Sequence, residues 1–130
     1  MTKRILLVDD EAMLRAAFRA LLESSGYDVS EAGTAEEAIE RVRTDRPDLV
    51  FLDLGLPDRP GLDVARQIMM ESDVTVVALT GRSELGLLRA CRDAGCAGHL
   101  IKPISPRDLV RGIPGWLGGS AKGDRAGNPA

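Results

Sequence analysis

Aromatic side chains are scarce in this chain: one Trp, one Tyr and two Phe make up 3% of its 130 residues. The packing must therefore come from Leu, Val, Ile and Ala. Cysteine is nearly absent as well, with only Cys91 and Cys96, and the sole histidine is His99. Two thiols and one imidazole fall short of a four-ligand zinc set, so the expectation is two reduced, structural thiols in a cytoplasmic protein. No apolar run approaches a membrane span, and Met1-Thr2-Lys3-Arg4 leads into only a short apolar stretch, unlike a secretion signal. Blocks of one charge are missing too. The 17 Lys and Arg interleave with 20 Asp and Glu for a net charge of −3. That pattern offers no basic footprint for nucleic acid and no polybasic membrane patch. There is no internal repeat.

What is present is ordinary for one globular domain. Hydrophobic residues are 44% and charged residues 28%. A chain of this length buries roughly two-thirds of its unfolded surface and needs no staples.

Apolar runs and helical stripes alternate along the chain. Ile5-Leu6-Leu7-Val8 is a short continuous apolar run, which suits a strand buried on both faces. Leu14, Ala17, Phe18, Leu21 and Leu22 then recur at helical spacing, and Gly26 stands where a C-terminal cap belongs. Residues 27–32 alternate apolar and polar, as at a sheet edge. Thr34 and Glu37 form a capping-box pair ahead of Ala35, Ala38, Ile39 and Val42. Leu49-Val50-Phe51-Leu52 and residues 74–79 are two further central strands, separated by a helix carrying Leu62, Ala65, Ile68 and Met69. A weaker helix is expected from about Glu84 to Ala94, with Leu85, Leu88 and Cys91 inward and Gly86 lowering its propensity. Residues 98–101 form a last short strand. Ser105, Pro106 and Asp108 mark the start of the last helix, which Gly112, Pro114 and Gly115 are expected to interrupt. Residues 118–130 lack periodicity and read as a flexible tail.

Five strands alternating with five helices predict an α/β fold, a doubly wound parallel sheet joined by right-handed crossovers. One alternating strand and three continuous ones favour the flavodoxin-like order 2-1-3-4-5. Ligands of such sheets bind outside the carboxyl ends of the strands. Asp9 and Asp10 end the first strand, Asp53 the third, Thr80 the fourth and Lys102 the fifth. Each alone is an unremarked strand-terminal polar residue, but together they converge on one rim from four segments. Packed carboxylates raise one another's proton affinity, and a hard divalent cation such as Mg²⁺ relieves that conflict. A carboxylate is also a nucleophile toward phosphorus, and phosphoryl transfer needs mainly positioning and charge neutralisation.

Four stretches carry a family likeness: Ile5-Leu6-Leu7-Val8-Asp9-Asp10-Glu11, Asp53-Leu54-Gly55-Leu56-Pro57, Ala78-Leu79-Thr80-Gly81 and Lys102-Pro103. In their order and spacing the chain resembles the receiver domain of two-component response regulators, over about residues 3–117. The resemblance implies that Asp53 accepts a phosphoryl group from a histidine kinase or phosphotransfer protein. It implies that Asp10, Asp53 and the Gly55 backbone carbonyl ligate Mg²⁺, with Asp9 acting through water. Thr80 and Lys102 would hold the phosphoryl oxygens, and the bond before Pro103 would be cis. His99 stands where the family carries its switch aromatic, Asp58-Arg59-Pro60 stiffens the loop after Asp53, and the last helix departs from the pattern.

The reading is a receiver domain over residues 1–117, cytoplasmic, with an unidentified downstream protein target and no nucleic acid or membrane partner. It catalyses only its own phosphoryl transfer and dephosphorylation, and the altered last helix predicts a monomer. The initial methionine favours a stand-alone or N-terminal domain. Two alternatives compete. A phosphorylation-independent receiver-like binding module would tend to lose one of the acids, and the set here is full. A Mg²⁺-dependent aspartyl phosphohydrolase wants a second acid two residues past the nucleophile, where Gly55 stands. A dinucleotide site fails for want of a glycine-rich turn after the first strand.

Overall fold

A computed structural model describes residues 2–81 and 86–118. Strands and helices alternate along it: β1 (Arg4–Val8), α1 (Ala12–Ser24), β2 (Asp28–Ala32), α2 (Ala35–Asp45), β3 (Leu49–Asp53), α3 (Gly61–Glu71), β4 (Thr75–Thr80), α4 (Gly86–Ala94), β5 (Gly98–Ile101) and α5 (Pro106–Gly118). The strands form one sheet in the order β2-β1-β3-β4-β5, and every pairing is parallel. The expected start near Glu84 and nearly all of the expected tail lie outside the described residues.

The continuous apolar runs are central strands because each strand points successive side chains to opposite faces, and helices cover both. From β1 and β3, Ile5, Leu7, Leu49 and Phe51 pack with Phe18 and Leu22 of α1 and with Leu109, Ile113 and Trp116 of α5. Leu6, Val8, Val50 and Leu52 face the other way, toward Ala38 and Val42 of α2 and Val64 and Ile68 of α3. α4 lies on that second side too, where its one fully buried side chain, Cys91, meets Leu54 and Ala78.

Helix ends follow local chemistry. Thr34 Oγ1 accepts from the Glu37 N–H at 3.1 Å. The Glu37 carboxylate reaches back to the N–H of Gly33, one residue beyond a standard box. α1 and α4 both end in Schellman turns. At the first, Gly26 (φ 98°) donates to Glu23 and Tyr27 to Leu22; at the second, Gly95 (φ 117°) donates to Arg92 and Cys96 to Cys91.

That second turn overturns one expectation. Cys91 and Cys96 are joined in a disulfide rather than standing as reduced thiols. A Schellman turn brings the residue after its glycine back against the residue five earlier, where an apolar contact usually forms. Here both positions are cysteine, with Cα atoms 5.7 Å apart, inside the span of a disulfide.

The last helix also differs from expectation. α5 runs unbroken over 13 residues with Pro114 inside it. Proline in a helix interior costs about 3 kcal/mol, but burying each large apolar side chain returns about 1.5–3 kcal/mol. Leu109, Ile113 and Trp116 are all buried, so packing outweighs the missing hydrogen bond. Gly112 is less a breaker than a seat: a Cβ there would lie 2.4 Å from Cη2 of Trp116.

Candidate functional site

Because the strands are parallel, their carboxyl ends share one edge. Among the described residues, the buried polar side chains are Asp9, Asp53 and Thr80, and all three stand at that edge. Asp53 closes β3 and Thr80 closes β4, while Asp9 and Lys102 directly follow β1 and β5. Neighbouring backbones lock the ends together: Leu54 donates to the Leu79 carbonyl at 2.9 Å, and Lys102 to the Thr80 carbonyl at 2.7 Å.

Lys102 is the bridge. Its Nζ lies 2.9 Å from Asp9 Oδ2 and 3.3 Å from Asp53 Oδ2. Asp53 Oδ1 accepts the Gly55 N–H at 2.9 Å, and Asp9 Oδ1 accepts that of Glu11 at 2.9 Å. Asp9 Oδ2 has the charge of Lys102 beside it but no hydrogen bond of good geometry. Burial drives the Asp53 carboxyl above its ordinary range; the Gly55 N–H and the Lys102 ammonium oppose that rise, and the Asp9 charge adds to it. For Lys102, burial works against the charge, yet Asp9 and Asp53 outweigh it and hold the ammonium above its usual value.

One oxygen from each of Asp9, Asp10 and Asp53 can be chosen so that all lie within 4.8 Å of one another, with Asp10 exposed and the other two buried. Hard carboxylate oxygens, one of them buried without a hydrogen bond, fit an oxygen-seeking divalent cation. Gly55 follows in the same loop.

The remaining residues are placed less tightly. The Thr80 hydroxyl donates to the Gly81 carbonyl at 3.2 Å. His99 is exposed on β5, and the bond between Lys102 and Pro103 is cis.

Two sets of contacts at this edge, made by Arg15 and by Asp58, escaped sequence reasoning. Arg15 donates to the Asp9 carbonyl at 2.6 Å and to Glu31 at 2.9 Å, and Glu31 also pairs with Arg19 at 3.0 Å. Burial pushes the Glu31 carboxyl upward, but the two guanidinium groups prevail and hold it below its ordinary value. The four-residue step from Arg15 to Arg19 was the available signal. Asp58 reaches α2, 23 residues earlier in the chain, and no local pattern announces that contact.

The family model for the response regulator receiver domain matches residues 5–113. The transcriptional regulatory protein PdtaR of Mycobacterium tuberculosis is 38% identical over 112 residues, covering 85% of this chain and 55% of that protein. The DNA-binding response regulator MtrA of Mycobacterium leprae is 37% identical over 110 residues, 85% of this chain and 49% of the relative. The chain thus spans about half the length of these curated relatives. Among solved structures, a CheY-like response regulator receiver domain protein from Methanospirillum hungatei superposes with a TM-score of 0.86 at 29% identity, covering 91% of this chain and 95% of that one. With the fold, the acidic edge and a family match across most of its length in agreement, this chain belongs to the receiver domains of two-component response regulators.

Proposed function

We propose that Asp53 is the phosphoacceptor of this receiver, with Asp9 and Asp10 beside it as the cation site and Lys102 as the countercharge. The carrying observation is the triangle in which Lys102 Nζ touches both Asp9 and Asp53 while Asp10 stands within ligand distance of the pair. Asp53 is the buried carboxylate that ends a central strand and also contacts the lysine.

In the step, a carboxylate oxygen of Asp53 attacks phosphorus as the bond from phosphorus to the donor breaks. For a phosphohistidine donor the leaving nitrogen takes up a proton, and an acyl phosphate remains on Asp53. The chain would catalyse this transfer and its own dephosphorylation, in which water takes the phosphoryl group as inorganic phosphate and Asp53 is left as the free carboxylate, and no further reaction. Lys102, charged and already against Asp53 Oδ2, would neutralise a phosphoryl oxygen, and the Thr80 hydroxyl would turn from Gly81 to a second. Mg²⁺ held by Asp10, Asp53 and the Gly55 carbonyl, with Asp9 through water, would supply the remaining neutralisation.

The donor would be a histidine kinase or phosphotransfer protein, and the response a changed affinity for a downstream protein, with His99 moving inward as Thr80 moves. The domain would act in the cytoplasm, as a monomer, over residues 1–117. PdtaR and MtrA are named as transcriptional and DNA-binding regulators. For this chain, interleaved charges and a net −3 favour protein rather than nucleic acid as its direct partner. The test is incubation with a small phosphodonor and Mg²⁺, read by intact mass. One phosphoryl group is expected on the wild type and none on Asp53→Asn. Full modification of that variant would remove Asp53 from the role.

A further inference from the structure

We propose that Asp58 is a positioning residue for this site, clamping the loop between β3 and α3 to the N-terminus of α2 and so setting the backbone around Gly55. The inference rests on the reading of Asp53 and Gly55 given above.

Asp58 Oδ1 accepts the Ala35 N–H at 2.8 Å and Oδ2 the Glu36 N–H at 3.2 Å. Thr34 supplies the next two acceptors, its Oγ1 for Glu37 and its carbonyl for Ala38. The Ala38 bond is the first regular one of the helix; the Ala35, Glu36 and Glu37 N–H groups, which no helix can satisfy internally, are thereby divided between the preceding residue and a distant loop. The Ala35 N–H, aided by that of Glu36, holds the Asp58 carboxyl below the usual carboxylate range. The Thr34 side chain accepts from Glu37 alone, so Asp58 both completes the cap of α2 and ties the loop to it.

That loop is pinned at its other end as well. Gly61 donates to the Leu54 carbonyl at 3.1 Å, and a Cβ on Gly61 would meet Leu54 Cα at 2.3 Å and the Asp53 carbonyl oxygen at 2.7 Å. Leu54 and Leu56 are buried, whereas Gly55 between them is exposed and has no side chain to anchor it. Gly55 is held instead through its N–H on Asp53 Oδ1. Pro57 and Pro60 fix φ on both sides of Asp58 and shorten the lever through which it acts. Fastening Asp58 to α2 therefore restrains Gly55 three residues away.

The experiment compares Asp58→Ala, Asp58→Asn and Thr34→Ala in the full chain. Both alanine changes remove a cap of the same helix, but only the first releases the loop. Both are expected to lower Tm by a few degrees. In metal-free protein, hydrogen exchange at the Gly55 amide should quicken by roughly tenfold in Asp58→Ala, the scale of one lost cap, and stay near wild type in Thr34→Ala. Calorimetric Mg²⁺ affinity should fall severalfold in Asp58→Ala and hold in Thr34→Ala, with Asp58→Asn, which keeps an acceptor oxygen, in between. Unchanged Gly55 exchange in Asp58→Ala, or equal changes in both alanine variants, would reduce Asp58 to an ordinary cap. A wild type that binds no Mg²⁺ would refute the cation reading instead, and the exchange comparison would still decide the loop.

Discussion

At the scale of single residues, the acidic edge stores an electrostatic cost that the fold tolerates for the sake of the site. Burial raises the Asp53 carboxyl against the pull of Gly55 and Lys102, so the folded chain holds that proton more tightly than the unfolded one. Between the two pKa values the folded state binds more protons, and stability falls as pH rises through that window. Below the unfolded value the penalty is absent; above the folded value it is complete. Asp53→Asn is therefore expected to raise Tm in metal-free buffer at pH 7, and the gain should vanish near pH 3. Lys102 also lies 2.9 Å from Asp9, a partner that the substitution does not remove, so the half-buried ammonium retains a countercharge. Thermal melts across pH check it; a gain that persists in acid would mean that Asp53 is not the source. Within the cation site, Asp10→Asn should weaken Mg²⁺ binding more than Asp9→Asn, because an inner ligand loses a direct bond. Calorimetry on the two variants decides, and equal losses would mean a different sharing of the ion.

Among the elements, α5 makes the sharpest contrast, because two of its glycines stand in opposite surroundings. Alanine at Gly112 would drive a Cβ to 2.4 Å from the Trp116 ring, whereas at Gly115 it would meet nothing within 4 Å. Replacing glycine in a helix gains about 1 kcal/mol in propensity. Overpacking a seated ring costs about 1–3 kcal/mol. Gly112→Ala is thus expected to destabilise the protein and disturb the edge-on packing of Trp116 against Phe51, whose centroids lie 5.7 Å apart. Gly115→Ala should stabilise it slightly. Denaturant titrations with Trp fluorescence read both, and a shared sign would mean that Trp116 has other space to occupy. α4 is held differently. Its one fully buried side chain is the disulfide-bonded Cys91, which packs with Leu54, the residue that follows Asp53.

Seen whole, the described surface gives little cause for self-association. Its exposed large apolar side chains are Met13, Met70 and Ile101, on α1, α3 and β5 respectively. α1 and α3 cover opposite faces of the sheet, so these residues do not merge into one apolar patch. Light scattering of the phosphorylated chain should read a monomer, although α5 is not broken as its sequence implied. A stable phospho-dimer would place the contact on surfaces that polar chemistry rather than apolar area defines.

The α/β alternation, the strand order and the residues of the acidic edge were all legible in the order of the amino acids. Those are properties of period and position: a continuous apolar run needs cover on both faces, and a polar residue ending such a run must lie at the sheet's rim. The capping residues Thr34 and Gly26 were legible for the same local reason. Tertiary structure alone decided the rest. Pro114 stays within a helix because Leu109, Ile113 and Trp116 are buried together, a sum that no helix-breaking rule contains. Cys91 meets Cys96 because a glycine at φ 117° turns one onto the other. Asp58 finds Ala35, and Arg15 the Asp9 carbonyl, because parallel strands bring distant loops to one edge. Contacts set by local geometry can be written in a few neighbouring residues; contacts between separated segments exist only once the sheet has brought those segments together.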